Sequence, residues 1–340
     1  FDGRVYFAAV RSARVSRLDR DGRIETVAGT GVARCINTNA CPPAGDGQLA
    51  TAVALADVQD VAVDGLGRVF IAESEAVRED DVDGTIATLF VGTGPDRYVS
   101  SVAVDDIGRV LFAFSAQDAN IGTFSPSLIE RIEPDGTITV VAGGGHDVDG
   151  DGIAATSAQL DDPAQSPPLL ANHPEIGGII DLAAGAGDAF FLVDGGAQLR
   201  RVDGRGVITR LTHATPDGDI GGVAVDAAGR AIVTRAASID AVDVDGTDTP
   251  LLTGLNRPGP IAIDHDGALV FVDSAAFAPA SLERLDPGAA LATPIAPGAG
   301  AGPSGPPRLD ARALPIMSVA GLVVDAAGRL VFAARDAATG

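Results

Sequence analysis

The sequence predicts an all-β fold, a six-bladed β-propeller of four-stranded antiparallel blades. Three observations lead there. The phrase Val-Ala-Val-Asp-x-x-Gly-Arg, followed by a short hydrophobic run, recurs at Val61–Ser74, Val102–Ser115, Val223–Arg235, Ile261–Ser274 and Leu322–Arg335. A weaker copy lies at Leu182–Asp194, and Asp2–Ala8 reads as the second half of another. Repeats of roughly 40 residues signal a stacked or circular array of small units. Within each unit apolar and small residues alternate at period two, the spacing of strands and not of helices. Finally, Asp-Gly and related pairs separate the strands at regular places, a strong short hairpin signal because both turn residues need positive φ.

Each unit resolves into four strands, a to d. Val61, Val63, Val69 and Ile71 share core-facing character on a and b, and Asp64-Gly65-Leu66-Gly67 turns between them. The repeated Asp of each copy is read as a turn residue. A second turn joins c to d at Asp21-Gly22, Asp83-Gly84, Asp135-Gly136, Arg205-Gly206, Asp245-Gly246 and Pro287-Gly288. Counting strands gives six blades with one b strand over. The expected closure sets Val319–Val324 beside Val5–Ala9 and leaves Val331–Ala334 surplus, leading into a following domain; such closure hides sheet edges. Two stretches exceed the repeat, His146–Gly178 and Pro294–Pro315, and are expected as long loops between blades, where recognition usually resides.

Composition narrows the function. The net charge is −22, and all 24 basic residues are Arg. Such a surface repels nucleic-acid phosphates and anionic headgroups, and the absence of Lys removes Schiff-base and P-loop lysine chemistry. No apolar stretch approaches the roughly 18–20 residues of a membrane span. The chain begins within a repeat without Met, so residues 1–340 are expected to form a single propeller processed or excerpted from a longer protein with adjoining domains. Cys35 and Cys41 share a polar loop and read as a small disulfide of an oxidising compartment, an extracellular, secreted or cell-surface setting; the alternative is two thiols.

The links between blades carry a further pattern. Val27-Ala28-Gly29-Thr30-Gly31, then Gly45-Asp46-Gly47-Gln48-Leu49-Ala50-Thr51-Ala52 and Leu55, precede one copy; Val141-Ala142-Gly143, Gly150-Asp151-Gly152, Ala154, Thr156, Ala158 and Leu160 repeat it. With the strand units, this resembles the NHL repeat of bacterial and teneurin-type extracellular propellers across nearly the whole chain. In that family strand b usually ends in Asp. The matching positions here are Ala9, Glu73, Phe114, Asp194, Arg235, Asp273 and Ala334, an uneven set that reads more as scaffold than as a metal cage.

Three candidate sites remain. Asp147, Asp149 and Asp151 in His146–Gly152 match the opening of a calcium loop, although Ala158 stands where the bidentate Glu belongs, and the connector explains the same residues. Zinc held by three His, as in the NHL-like peptidyl-hydroxyglycine lyases, would draw on His146, His173, His213 and His265, which do not share equivalent blade positions. Glu73, Asp194 and Asp273 could form an acidic metal site at the axial mouth, resembling gluconolactonase-like propellers; otherwise they line a wet channel and pair with Arg235. The expectation is therefore a non-catalytic recognition or scaffold propeller that binds a protein or glycan. The alternative is a metal-dependent lyase or hydrolase at the axial channel.

Overall fold

The computed structural model describes residues 5–9, 13–18, 24–34, 43–92, 97–118, 123–124, 127–147, 150–160, 179–195, 198–212, 220–264, 266–274, 281–295, 316–324 and 330–336. The chain opens with β1 (Val5–Ala9), β2 (Arg14–Leu18) and β3 (Ile24–Ala28). The first complete blade follows as β4 (Val58–Val63), β5 (Val69–Glu73), β6 (Ala76–Asp80) and β7 (Ile86–Val91). The next contains β8 (Arg97–Val104), β9 (Val110–Asp118), the short β10 (Thr123–Phe124), β11 (Leu128–Ile132) and β12 (Ile138–Gly143). A two-strand-residue connector, β13 (Ile153–Ala154), leads to β14 (Ile179–Ala184), β15 (Phe190–Asp194), β16 (Gln198–Val202) and β17 (Val207–Arg210). Then come β18 (Gly222–Val225), β19 (Ala231–Thr234), β20 (Ser238–Val242) and β21 (Asp248–Thr253), and β22 (Pro258–Ile263), β23 (Leu269–Asp273), β24 (Ser281–Leu285) and β25 (Thr293–Pro294). The chain ends with β26 (Ile316–Val324) and β27 (Leu330–Asp336).

Five blades of the expected antiparallel form, rather than six, are each drawn from one continuous segment. The remaining sheet is a composite of both chain ends, in the order β26-β27-β1-β2-β3. Here the sequence expectation is corrected. Strand β27, not Val319–Val324, lies beside β1, so Val331–Ala334 is not surplus. The pairing is parallel, Val5 with Leu330 and Phe7 with Phe332, where every other strand pair described is antiparallel. The cause lies in the repeat: Gly3–Ala9 and Gly328–Ala334 are copies of the same b strand, and they align copy on copy. Because β26 forms a hairpin with β27, it reaches the sheet only through that strand.

The turns follow their predicted chemistry. Asp64 accepts the N–H groups of Leu66 and Arg68, each at 2.9 Å, and holds the Arg68 guanidinium at 2.6 Å. Asp226 repeats the arrangement on Ala228 and Arg230. One carboxylate thus replaces several hydrogen bonds that a tight turn would otherwise leave to water.

The core consists of apolar layers between neighbouring sheets. Val61, Val63, Val69 and Ile71 pack with Val15, Ala28 and Leu55 towards the composite sheet. Alternate residues Ala62, Phe70 and Ala72 pack the other way, with Val102 and Phe112. Both faces of β4 and β5 are therefore buried, as strands in the middle of a layered array require. Phe90 seals this second layer, its ring centroid 4.5 Å from Phe112 and 5.3 Å from Phe114.

The glycine of Val141-Ala142-Gly143 is needed on two counts. Its φ is +82°, and a Cβ there would come within 2.2 Å of the Ser127 carbonyl oxygen. Gly136, also at positive φ, faces open space. Gly143→Ala is therefore expected to cost about 2–3 kcal/mol, and Gly136→Ala only about 1 kcal/mol. Guanidinium denaturation of the two variants checks this, and equal losses would refute the close-approach argument.

Candidate functional site at the axial channel

Strands β4, β8, β14, β18, β22 and β26 are the innermost of their sheets, and each packs beside the next, with β26 beside β4. Each pairs within its sheet along one edge only. The other edge presents main-chain N–H and C=O groups towards the axis, so a channel with aliphatic side chains still has polar walls. Between these strands lies a cavity of about 240 Å³, bordered by Asp60, Val102, Asp181, Val223, Ile261 and Val323 among others.

Three polar side chains occupy the position just before the repeated Val-Ala-Val or its counterpart: Asp60, Ser101 and Asp181. The remaining repeats have Gly222, Pro260 and Gly321 there. Asp60 accepts the N–H of its own neighbour Val61 at 2.8 Å and of Val102 in the next blade at 2.9 Å. Asp181 does the same with Leu182 and Val223, both at 2.8 Å. Ser101 joins the two acids. Its hydroxyl donates to Asp60 at 2.7 Å, accepts the Leu182 N–H at 3.1 Å and lies 3.5 Å from Asp181 Oδ1.

Among the described residues no cation pairs with either acid. Burial pushes the Asp60 carboxyl up to about 6, against the hydrogen bonds from Val102, Ser101 and Val61, which favour the charged form. Burial, then the charge of Asp60, raises Asp181 well above the usual carboxylate range. Both carboxyls therefore resist ionisation, and the Ser101 hydroxyl stands between them. Mechanically the cluster ties four successive blades. Ser101→Ala is expected to cost about 1–3 kcal/mol, because it strips a donor from Asp60 and an acceptor from Leu182. It should also move the Asp60 titration upward, which a pH series of denaturation midpoints would read; an unchanged series would remove Ser101 from the pair.

The b-strand carboxylates fall elsewhere. Strand b is the second layer from the axis, so its end does not meet its counterparts across the channel. Fully buried Glu73 binds Arg34 at 2.9 Å and Arg78 at 3.2 Å and accepts the Ala56 N–H. Arg78 continues to Ala44 O and Asp46, so the pair clamps the Gly-Asp-Gly connector to its blade. Asp194 and Arg200 form the equivalent clamp, with Arg200 donating to Gly150 O at 2.6 Å. Asp273 holds the Asn256 and Arg257 N–H groups and the Asn256 amide. Arg235 pairs with Asp240 and Asp248, the polarity of the clamp reversed. The structure thus distributes Glu73, Asp194, Asp273 and Arg235 among four blades.

In the acidic loop, Asp147 accepts the Gly150 N–H at 3.0 Å and Asp151 accepts the Arg210 N–H at 2.9 Å. These carboxylates serve the connector. Among the described residues no group of three or more His, Cys, Asp or Glu is placed to hold a metal ion. Asp149, His173, His213, His265, Cys35 and Cys41 lie outside the described residues. Sequence reasoning missed Asp60, Ser101 and Asp181; the signal was a polar residue immediately before Val-Ala-Val in some copies and not others.

No protein-family profile matches the chain, and no curated protein does. Solved structures are similar to it. A virginiamycin B lyase from Staphylococcus aureus superposes with a TM-score of 0.55 at 14% identity, over 97% of this chain and 90% of that one. A streptogramin B lyase gives 0.57 at 13%, over 97% and 89%. A Bacteroides thetaiotaomicron protein of unknown function gives 0.56 at 14%, over 95% and 82%. At such identities the likeness carries the fold alone, a β-propeller.

Proposed function

We propose that this chain is a non-catalytic recognition propeller of NHL type, a six-bladed ring whose partner is a protein or glycan bound at one face. The carrying observation is the uneven length of the connections between blades. Turns a to b repeat one length at 64–68, 105–109, 185–189 and 226–230, whereas the chain runs from one blade to the next through 92–96 and 254–257 in some places and through 29–57 and 144–178 in others. Variable long segments on a rigid scaffold suit recognition. The engagement of Glu73, Asp194, Asp273 and Arg235 inside their blades supports the same reading, and an extracellular setting accords with the Cys35–Cys41 loop.

Replacing 161–178 with the short sequence of 92–96 tests it. Partner capture from the native secretome should fall at least about tenfold while the melting temperature holds. Undiminished capture of the same partner would sink the reading. A second reading, a lyase or hydrolase at the axial channel, draws on the acid pair beside the cavity and on the lyases that share the fold. It requires turnover, with or without added Ca2+ or Zn2+, that disappears in Asp181→Ala while that variant remains folded.

A further inference from the structure

The outer edge of a propeller blade is an open strand unless something covers it. Two blades are covered by this chain's own connectors. Gly45–Ala50 lies along β7, with Gly47 N donating to Ile86 O, Ile86 N to Gln48 O and Ala50 N to Gly84 O, at 2.8–2.9 Å. Gly150–Ala155 lies along β17, with Gly152 N donating to Ile208 O and Ala155 N to Gly206 O, both at 2.8 Å. Each connector covers the last strand of the blade that follows it. The chain passes from Val91 to Arg97 too directly to cover β12 in the same way, and no described strand pairs with the outer edge of β12.

The equivalent residues record the difference. Ile86 and Ile208 are 1% and 0% exposed, whereas Ile138 at the same place on β12 is 38% exposed and Val140 beyond it 43%. Two other edges are protected. Asp248 replaces the isoleucine on β21, and Pro250 and Pro294 replace Val140 on β21 and β25. Only β12, among these edges, keeps an apolar, proline-free strand ready for pairing.

The adjoining strand specifies charge. In the covered blades Arg78 and Arg200 reach the connector, contacting Asp46 and the Gly150 carbonyl respectively. Their counterpart on β11, by register with β12, is Glu130. An acceptor therefore stands where the others donate, on a protein of net charge −22. We propose that the outer edge of β12 receives an extended peptide segment of a partner protein, one carrying Arg or Lys where the connectors carry Asp, followed by small and aliphatic residues. Main-chain pairing supplies the binding, Ile138 and Val140 the apolar contact, and Glu130 the selectivity. This surface is separate from the long-loop face and holds whether or not that face binds a partner.

The test uses two fluorescein-labelled peptides, Gly-Arg-Gly-Ile-Ala-Ala and the same sequence with Asp for Arg, titrated with the whole chain. Saturable binding of the Arg peptide is expected, weakened at least about tenfold in Ile138→Asp. Glu130→Arg should reverse the preference towards the Asp peptide. Both substitutions install residue types that other blades hold at these positions, and thermal melts verify folding. Absence of binding, equal binding by Ile138→Asp, or an unchanged preference in Glu130→Arg would each overturn the proposal. Sedimentation showing a dimer that Ile138→Asp dissociates would assign the edge to a second copy and overturn it as well.

Discussion

Replacing Asp80 with Val should stabilise this protein by roughly 3–4 kcal/mol at pH 8, and hardly at all at pH 4. Asp80 ends β6 and is 6% exposed. The same place in the other repeats holds Leu18, Ile132, Val202, Val242 and Leu285. Burial, reinforced by the charges of Asp81 and Asp83 and only partly opposed by Arg17, pushes its carboxyl up to about 7. Among the described residues its buried Oδ1 has no hydrogen-bond partner. The sign follows from proton binding. Below pH 4 both folded and unfolded states are protonated at this site, and no penalty exists. Between about 4 and 7 the unfolded chain ionises while the folded one keeps its proton, so stability falls as pH rises. Above 7 the full cost is present. A pH series of urea denaturations should show wild type losing stability across that window and Asp80→Val lacking this component. Parallel curves would mean that Asp80 is solvated in the folded state.

The opposite sign is expected at Arg78. Its side chain is fully buried and meets Glu73, Asp46 and the Ala44 carbonyl. Arg78→Ala removes the cation but leaves Glu73 enclosed with Arg34 as its remaining charged partner, and it frees the connector that covers β7. A loss of about 3–5 kcal/mol is expected, the range for stripping one member from a buried pair. Arg200→Ala should behave alike, since Asp194 and Gly150 repeat the arrangement. Chemical denaturation measures both. A loss below about 1 kcal/mol in either would show that water replaces the guanidinium at no great cost.

The fold was legible because its determinants are local. Alternation within Val61–Val63 and Val69–Ile71, and the Asp-Gly turns, lie within a few residues of the strands they specify. The acid pair was not legible for the converse reason. Half of the N–H groups that hold Asp60 and Asp181 come from Val102 and Val223, about forty residues further on in an adjoining blade. Only assembly brings them together. The b-strand acids were read as lining the axial mouth, because their sequence does not say which strand lines the axis; Glu73 and Asp194 proved to be clamps one layer out. The closure went astray because two copies of one strand, β1 and β27, compete for a single role, and strand counting had no means of ranking them.

That duplication has a mechanical consequence. If β1 peels away, β27 already runs antiparallel to β2 and can zip onto it, leaving β26-β27-β2-β3 as an ordinary four-stranded blade. If instead the last two strands detach, β1 still holds its place against β2. The sheet where the chain's two ends meet is usually the weakest seam of a circular protein. Here it carries a spare tooth, so the loss of either strand becomes a slip of one position within the sheet.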